Sequence, residues 1–428
     1  MRLRIGREAL ADAVAWAARA LPTRPVIPIL AGLLLEAGEG GLTLSCFDYD
    51  VSARVGAEAA VAEPGRALVS GRLLAEIARS LPARPVDLVS EGDTVVLTCG
   101  SGRFTLLGLP ADDFPALPAL PPPAGTVDGG KFATAVSQVV IAAGRDDTLP
   151  MLTGVLIEID GSEMTLVATD RYRMAVRELD WQPVKAGVRA SALVPARTLA
   201  DAAKTMVAGS EVAISLAAEG QQTAAVADDR SGLLGSAAAG GVDGANGLIG
   251  FDGGGRRLTT RLLGTEFVAY KSRFPRDYRS CARLAAGPFS AAIRRVALVA
   301  DRESRLLLTF RAGELVLETG SGDGSQAVET IEAAFEGEDG FAIAFKPQYL
   351  IDGVAAAAAG GDERAGGAEP AADADDHGGD EARASNVDGD KAQAERATGV
   401  ILEFTAPDKP AIIRGSPGFR YLLAPMRT

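Results

Sequence analysis

Residues 166–179, LVATDRYRMAVREL, decide the fold of this chain. Residues 166–168 and 174–176 are apolar and predict two short strands, and the polar run TDRYR between them predicts a tight corner. A similar corner stands in residues 42–55, LTLSCFDYDVSARV. Two copies of one strand-corner-strand unit indicate an internal repeat.

An offset of 122 residues aligns the two copies. A chain of 428 residues is too long for one core, and a repeat of this length favours three domains. The offset pairs Pro28 with Pro150, Leu30 with Leu152, Gly32 with Gly154, Glu36 with Glu158, Thr43 with Thr165, Leu44 with Leu166, and Asp48 with Asp170.

Each predicted domain opens with a helix that has one apolar stripe. Apolar residues at i, i+3, i+4 and i+7 predict helices from about residues 7, 130 and 288. A second helix is predicted in each domain, at 71–82, 195–206 and 346–358. Short segments that alternate or run apolar between Gly, Asp and Ser predict antiparallel strands. The fold class is therefore α+β, three tandem repeats with two helices on antiparallel sheets. The stripes are Leu10, Ala13, Val14 and Ala17; Phe132, Ala135, Val136 and Val139; and Phe289, Ala292, Ile293 and Val296.

We predict domain I at 1–122, domain II at 123–284 and domain III at 285–428. Each closes with a phenylalanine-led strand, at 104–110, 267–275 and 419–425. Domain II has a Gly/Ala-rich insertion near 231–255, and domain III has an acidic, disordered insertion near 355–398. The acidic tract holds eleven acidic and four basic residues, so its net charge of −7 is about half of the −13 of the whole chain.

Composition excludes several function classes. Cys46, Cys99 and Cys281 are odd in number and widely spaced, which favours neither a disulfide framework nor a metal site. The sole histidine, His377, lies in the acidic tract, so histidine-based catalysis and His-ligated metals are not expected. Glu8 and Asp12 would interrupt the apolar core that a secretory signal peptide requires. No apolar run is long enough to span a membrane. We therefore expect a cytoplasmic protein without cofactors.

Neither aspartates nor glycines predict a catalytic site. Asp48, Asp170 and Asp301 are candidate carboxylates, but two of them occupy equivalent turns, where Asp commonly bonds the local backbone. The glycines at 240–255 lack the GxxxxGK[ST] pattern and the strand-to-helix context of a phosphate loop. No catalytic residue and no metal ligand is predicted.

Basic residues on or beside the paired helices favour one of two interpretations. Each residue belongs to a solvated face of its own helix, or all of them together form one positive surface that attracts phosphates without reading bases. Their recurrence on equivalent helices favours the second interpretation, which is contact with nucleic acid that is not sequence-specific. The candidates for this surface are Arg24, Arg72, Arg79, Arg197 and Lys204, with Arg294 and Arg295 on the third domain.

The C-terminal stretch YLLAPMRT also has two interpretations. It is a terminal strand that completes the third domain, or it is one edge of an apolar groove. Arg173 and Arg427 beside apolar neighbours suit a groove for an extended peptide with mixed anchors.

Six ordered motifs carry a resemblance to a known family. They are RPVIPILAGLLLE at 24–36, TLPMLTGVLIE at 148–158, LVATDRYRMAV at 166–176, SRFPRDYR at 272–279, RVALVADRESR at 295–305 and YLLAPMRT at the end. The chain resembles the bacterial sliding clamp, the beta subunit of DNA polymerase III, over its whole length except the two insertions. The resemblance implies a homodimer of three-domain chains joined head to tail as a closed ring around duplex DNA. It implies a processivity factor and not an enzyme.

The resemblance also implies site residues and partners. Arg24 is similar to a DNA contact of the family, and Phe104 and Leu106 lie where the family forms its dimer interface. Expected partners are duplex DNA, a second copy of the chain, the DNA polymerase III catalytic subunit, the clamp loader and other clamp-motif replication and repair proteins. The implied partner-peptide groove, between domains II and III, comprises Leu152, Thr169, Arg171, Tyr172, Arg173, Met174, Pro275, Arg279, Tyr349, Pro410, Leu422, Leu423, Ala424, Pro425, Met426 and Arg427.

Three residues depart from the family pattern. Arg276 is an extra residue in the Phe-Pro-Asp-Tyr motif, Ala424 stands where a larger residue is usual, and Thr428 replaces a terminal hydrophobe. These departures raise an alternative, a diverged second clamp that tolerates groove-directed inhibitors. The alternatives from other classes are a monomeric peptide-binding adaptor and a nucleic-acid-processing enzyme, which would need clustered carboxylates to bind metal.

Overall fold

The computed structural model describes residues 1–206, 211–216, 247–301, 303–320, 324–360 and 399–427. Each predicted helix is present in these ranges, with ends that differ from the prediction by a few residues. The helices are α1 (Arg7–Ala17), α2 (Gly71–Ser80), α3 (Gly129–Val140), α4 (Pro150–Thr153), α5 (Ala196–Met206), α6 (Ala286–Val296) and α7 (Pro347–Ala358).

The rest of the described chain is largely antiparallel strand. The strands are β1 (Arg2–Ile5), β2 (Gly32–Gly38), β3 (Gly41–Phe47), β4 (Val51–Ala57), β5 (Ala59–Glu63), β6 (Gly65–Ser70), β7 (Val86–Glu91), β8 (Thr94–Cys99), β9 (Gly102–Leu109), β10 (Pro123–Asp128), β11 (Gly154–Asp160), β12 (Glu163–Thr169), β13 (Arg173–Asp180), β14 (Gln182–Pro183), β15 (Arg189–Pro195), β16 (Glu211–Ser215), β17 (Leu248–Gly253), β18 (Arg256–Arg261), β19 (Ser280–Ala285), β20 (Leu306–Arg311), β21 (Glu314–Gly320), β22 (Gln326–Glu332), β23 (Ala334–Glu336), β24 (Phe341–Phe345), β25 (Gly399–Phe404), β26 (Ala411–Arg414) and β27 (Phe419–Leu423).

The chain divides into two units. Unit 1 holds residues 1–133, 158–162 and 180–264, and unit 2 holds residues 134–157, 163–179 and 265–428. Each unit has its own core, and the predicted middle domain supplies residues to both.

Unit 1 is built on a sheet of fourteen described strands in the order β14-β10-β16-β17-β18-β4-β3-β2-β6-β9-β8-β7-β1-β5. Helices α1 and α2 pack against each other, and α1 packs against β4. The four residues of the predicted α1 stripe are each at most 3% exposed, so burial of one apolar face holds this helix on the sheet. They are Leu10, Ala13, Val14 and Ala17.

Unit 2 contains the run β12-β13-β27-β26-β25-β19-β23 and a smaller sheet, β22-β21-β20-β24. Helices α6 and α7 pack together, and α7 lies on β27. Gly353 in α7 allows this approach, because a Cβ there would stand 2.5 Å from the ring of Tyr421. A larger residue would push α7 away from the strand that ends the chain.

Several predicted limits were wrong. Residues 248–253, predicted as insertion, form β17 between β16 and β18, and residues 355–358 complete α7. The remainder of both insertions lies outside the described residues, except Gly247, Gly254, Gly255, Ala359 and Gly360. The strand predicted at 267–275 is absent; a short 3-10 turn, Lys271–Arg273, lies there instead. The boundary after residue 284 comes too late, because β19 pairs with β25 and β23 of the third domain.

Candidate functional site

The corner between β12 and β13 is held by two side chains of its own. Asp170 Oδ1 accepts hydrogen bonds from the backbone N–H groups of Tyr172 at 3.1 Å and Arg173 at 3.0 Å. The Thr169 hydroxyl donates to the carbonyl of Arg173 at 2.7 Å. This closure leaves Arg171 in the left-handed region, with φ of 81°. The predicted structural role of Asp170 is confirmed.

Arg173 is fixed in place by two carboxylates and an aromatic ring. Its Nε donates to Asp170 at 2.9 Å, and its Nη1 donates to Asp352 of α7 at 2.6 Å. The guanidinium carbon lies 4.2 Å from the centre of the Tyr349 ring. Burial lowers the pKa of Arg173, but Tyr421, Asp352 and Asp170 raise it by more. The arginine therefore stays charged and cannot swing freely.

A pocket of about 260 Å3 lies beside this corner, within unit 2. We call it the anchor pocket. Its wall is mostly apolar and carries three arginines but no carboxylate, which suits an apolar group with an anionic neighbour. It is lined by Leu152, Thr169, Arg171, Arg173, Met174, Val268, Arg273, Pro410, Leu422 and Ala424.

A second cleft of about 730 Å3, also within unit 2, shares Leu152, Arg171 and Arg173 with the anchor pocket. We call it the side cleft. Tyr172 and Tyr349 line it, with ring centres 6.4 Å apart, and the other lining residues are Ala143, Gly144, Arg145, Asp146, Leu149, Asp170, Gln348 and Asp352. The shared residues make the walls of the anchor pocket and the side cleft adjoin. Adjoining pockets of this kind suit an extended peptide.

The structure brings together most of the predicted groove residues. The prediction that Leu423 lines the groove is corrected, because its side chain is 0% exposed. Side chains alternate along β27, and Leu422 takes the outer face. Pro275, Arg279, Pro425, Met426 and Arg427 line neither space. Ala424 and Met426 are anchored through their backbone N–H groups, to Tyr172 at 2.8 Å and Ala344 at 2.8 Å.

Two residues of the anchor pocket were missed from the sequence, Val268 and Arg273. Both lie in the segment where a strand was predicted. The 3-10 turn Lys271–Arg273 precedes Phe274, so the Phe-Pro motif was the available signal, but it pointed only to Pro275 and Arg279. An extended strand would have directed these side chains differently.

Unit 1 has the equivalent corner, at Asp48 to Val51. Asp48 Oδ1 accepts from the N–H groups of Asp50 at 3.0 Å and Val51 at 2.6 Å, and Tyr49 has φ of 73°. Phe47, at the repeat position of Thr169, packs here into a buried cluster with Leu34, Leu68 and Phe114. In the part of the chain that the structure describes, Tyr49 and Arg171 are the non-glycine residues with positive φ, and the offset of 122 residues pairs them.

Two predicted DNA-binding residues share a cleft of about 370 Å3 in unit 1. Arg24 and Arg197 line it together with Arg19, which the prediction missed, and with Asp48 and Asp201. The cleft lies between the loop after α1 and the first turns of α5. Three cations around a cleft that also holds two carboxylates give a modest positive potential, which suits diffuse phosphate contact.

The other predicted DNA-binding residues are exposed but less concentrated. Arg72 donates to the carbonyl of Pro22 at 3.0 Å and so supports the loop that carries Arg24. Arg79 and Lys204 lie on the exposed faces of α2 and α5. Arg256 was also missed: it donates to Asp12 at 2.5 Å and to the carbonyl of Thr205 at 2.6 Å, which ties α5 to α1.

The predicted interface residues lie on β9 with different exposure. Phe104 is half-buried, whereas Leu106 is 2% exposed and belongs to the core. Its neighbour Leu107 faces outward and is 80% exposed. Of the two adjacent leucines, Leu107 and not Leu106 is therefore exposed, because a shift of one residue along a strand reverses the face.

The last candidate carboxylate, Asp301, has a structural role. Asp301 Oδ1 accepts from the N–H groups of Glu303 at 2.9 Å and Ser304 at 2.7 Å, so it closes a turn. Among the described residues, no group of three or more His, Cys, Asp or Glu side chains is placed to hold a metal ion. The helices in the described ranges are too short or too polar to cross a membrane.

Three family models match successive parts of this chain. The N-terminal, central and C-terminal domains of the DNA polymerase III beta subunit match residues 1–118, 126–268 and 271–360. The beta sliding clamp of Streptomyces coelicolor is 45% identical over 435 aligned residues, which cover 100% of this chain and 99% of that protein. The beta sliding clamp homolog GriR of Streptomyces muensis is 42% identical over 354 residues, or 83% of this chain and 88% of that protein.

The fold has solved counterparts. A sliding clamp from Pseudomonas aeruginosa, crystallised with griselimycin, superposes with a TM-score of 0.79 at 22% identity, and the match covers 100% of both chains. Fold, sequence and domain order thus define the class: the protein is a DNA sliding clamp with three clamp domains in tandem. The chain belongs to the family of the bacterial DNA polymerase III beta subunit.

Proposed function

We propose that two copies of this chain close into a head-to-tail ring that encircles duplex DNA and tethers the replicative polymerase. The observation that carries this proposal is the anchor pocket beside the β12–β13 corner, with its apolar wall and arginine rim. A tethered polymerase gains processivity because the tether raises its effective concentration at the primer end. The polymerase subunit, the clamp loader and other clamp-motif proteins are proposed to share this pocket.

The ring itself needs only weak contact with DNA. The exposed cations Arg24, Arg72, Arg79, Arg197 and Lys204 supply diffuse attraction, and strong base-specific contacts would hinder sliding. The clamp is proposed to lack catalytic activity of its own and to act in the cytoplasm. We keep the predicted limits of domain I and the predicted start of domain II, and we propose that domain III starts before β19 and not at residue 285.

Retention on DNA tests this function. The clamp is loaded by a clamp loader onto nicked circular DNA, half of the sample is linearised, and retained protein is measured. Loss only after linearisation is the expected result, because a closed ring leaves through DNA ends. Equal retention on both forms contradicts a sliding ring and indicates ordinary DNA binding.

Ring closure is tested separately by mass in solution. Leu107 is exposed on β9, and Leu298 and Val328 are exposed in unit 2, which gives the chain apolar groups for an interface between copies. Leu107→Asp is expected to shift the mass toward that of one 44.0 kDa chain. Val184→Asp, at an apolar residue of unit 1 that is 67% exposed and lies outside the proposed interface, is the matched control. A wild-type mass of one chain would favour a monomeric adaptor.

A second candidate is a diverged clamp that tolerates groove-directed inhibitors. It is favoured by Ala424, a small side chain where the family usually has a larger one, which lines the anchor pocket. Griselimycin is a suitable probe. Weaker binding to this clamp than to a standard clamp supports the candidate, whereas equal binding to both rejects it.

A further inference from the structure

We propose that Gln138, Arg177 and Ser416 form a buried polar hub that positions the walls of the anchor pocket and the side cleft. The three residues line neither space, so each is a positioning residue and not a contact residue. The inference rests on the proposed function in one respect, because it takes partners to bind in these two spaces. All three residues belong to unit 2.

Gln138 joins the end of α7 to α3. Its side chain is 1% exposed. The amide nitrogen donates to the carbonyls of Ala356 at 2.8 Å and Ala359 at 2.7 Å, and it lies 2.8 Å from the hydroxyl of Ser416. The last carbonyls of a helix have no partner within that helix. Gln138 therefore supplies from α3 a donor that the end of α7 lacks.

Arg177 of β13 holds the turn at 415–418, which connects β26 to β27. Its side chain is buried, and its Nη1 donates to the carbonyl of Pro417 and lies 3.5 Å from the hydroxyl of Ser416. The backbone N–H of Ser416 donates to the carbonyl of Ala357 in α7 at 2.7 Å. One turn is thus bonded to β13 and α7, and its serine hydroxyl also meets the amide of α3.

Two glycines let this turn lie close to its neighbours. A Cβ at Gly415 would stand 2.2 Å from the carbonyl oxygen of Ala357, and a Cβ at Gly418 would stand 2.5 Å from that of Glu178. Gly418 also has φ of 71°, which glycine adopts without strain. Contacts this close on both sides leave the turn one position while the bonds of the hub are intact.

The elements that the hub joins also carry walls of the two spaces. Met174 of β13 and Leu422 of β27 line the anchor pocket, and Tyr349 of α7 lines the side cleft. In the β13–β27 ladder, Met174 pairs with Leu422 and Arg177 pairs with Phe419. The hub therefore lies at the end of the same ladder whose register places Met174 opposite Leu422.

The equivalent junction in unit 1 ends its helix without a buried amide. An offset of 151 residues aligns the start of α5 with that of α7 and pairs Thr205 with Ala356. The carbonyl of Thr205 accepts a bond from Arg256, which is partly exposed. The offset of 122 residues places Trp16 at the position of Gln138.

This contrast separates capping of the helix from the role of the hub. An arginine near the surface is enough to cap the helix in unit 1, whereas unit 2 buries an amide and a guanidinium that also reach the β26–β27 turn. Buried polar networks are costly to desolvate, and in some proteins they contribute unique geometry more than stability. We therefore expect loss of the hub to disturb the walls more than its effect on stability would suggest.

Hydrogen exchange and clamp loading test the hub on the full-length protein. The backbone N–H of Ala424 bonds the carbonyl of Tyr172 at 2.8 Å, so exchange in the segment 419–427 reports on the pocket wall. Gln138→Met and Arg177→Met keep most of the side-chain length but remove the donors. Exchange should become faster in both variants. The clamp concentration for half-maximal loading onto nicked circular DNA should rise by about threefold to tenfold.

Thr319→Val is the matched control. It removes a buried hydroxyl bond elsewhere in unit 2, to the carbonyl of Arg305 at 2.7 Å, and Thr319 lines neither space. A merely structural role predicts that exchange and loading follow the melting temperature on one line for the control and the hub variants. The hub predicts larger effects for Gln138→Met and Arg177→Met at the same loss of melting temperature.

Two milder variants cover a failure to fold and test the donor itself. Ser416→Ala removes the hydroxyl that lies beside both Gln138 and Arg177, and it should reproduce the faster exchange if the methionine variants do not fold. Arg177→Lys keeps a charged donor and should load better than Arg177→Met. Equal loading by these two arginine variants would contradict a role for the donor.

Leu422→Glu distinguishes failure of the hub from failure of the proposed function. If it abolishes loading while the hub variants behave as Thr319→Val does, use of the pocket stands and this inference is overturned. If Leu422→Glu loads normally, the proposed use of the pocket is overturned, and exchange in the segment 419–427 alone decides the hub. Unchanged exchange in Gln138→Met, Arg177→Met and Ser416→Ala overturns the hub in either case.

Discussion

The two equivalent corners differ in their surroundings and not in their backbone. Each has an aspartate that accepts two backbone hydrogen bonds and a following residue with positive φ. In unit 1 the neighbouring side chain is Phe47, which packs into a buried cluster with Phe114, and the corner itself lines the cleft that holds Arg24 and Arg197. In unit 2 it is Thr169, and the anchor pocket remains open beside it. Side-chain volume at one repeat position thus accompanies the difference between a packed cluster and an open pocket.

The largest expected effect comes from replacing Phe47 in the unit 1 corner and Thr169 in the unit 2 corner by alanine. Phe47→Ala removes a ring from a packed cluster and should cost about 3–5 kcal/mol of unfolding free energy. Thr169→Ala removes two hydrogen bonds of the hydroxyl, one to the carbonyl of Arg173 and one from the N–H of Arg171, and should cost about 1–2 kcal/mol. Urea unfolding of the two variants measures the difference. Equal losses would mean that Phe47 is not the packing residue that the comparison requires.

Next in size is replacement of Arg173 by the residue at its repeat position, Val51. Arg173→Val leaves Asp170 and Asp352, with side chains 13% and 24% exposed, without their cation, and should cost about 3 kcal/mol. Adding Asp352→Asn should recover part of the loss, since it removes one uncompensated charge. Unfolding of the single and double variants forms the test. A loss below about 0.5 kcal/mol would place this ion pair among weak surface pairs.

Much of this architecture could be predicted from sequence because its signals are local. The apolar stripes on α1 and α6 and the polar run between β12 and β13 depend on spacing within a few turns or one strand pair. The repeat in the sequence also predicted that the corners at Asp48 and Asp170 are equivalent. Packing across long separations could not be predicted in this way. The glycine-rich strand β17 looked like insertion, yet a Cβ at Gly250 would stand 2.4 Å from the side chain of Leu120, 130 positions earlier in the chain.

The site could be predicted only in part for a similar reason. Leu106 and Leu107 are adjacent and equally apolar, so alternation along β9 does not reveal from sequence which one is buried. Leu422 and Leu423 pose the same problem on β27. Arg273 reaches the pocket from an irregular segment, where periodicity gives no direction. Strand phase and loop geometry are therefore the information that the structure added.

A smaller effect is expected from Cys46, whose repeat position holds Ala168. Burial raises the pKa of the Cys46 thiol to about 12 from 9.0, so the unfolded chain loses this proton first as pH rises. Stability should therefore fall between pH 9 and 12, by about 1.4 kcal/mol at pH 10 from this group alone. Unfolding of wild type and Cys46→Ala at pH 8 and pH 10 isolates the contribution. The variant should lose less stability between the two pH values, and identical losses would reject the assignment.

The smallest expected effect concerns the strain that the corners share. Arg171→Gly and Tyr49→Gly should each raise unfolding free energy by up to about 1 kcal/mol, because glycine has no Cβ to meet the backbone at φ near 80°. Flexibility of glycine in the unfolded chain offsets part of this gain. Thermal unfolding measures both, with Arg171→Ala as the variant that keeps the strain. The comparison is sharpened if both glycine variants gain alike while Arg171→Ala gains nothing, because the gain then comes from the backbone conformation that the two corners share. Destabilisation by both glycine substitutions would mean that neither corner stores strain.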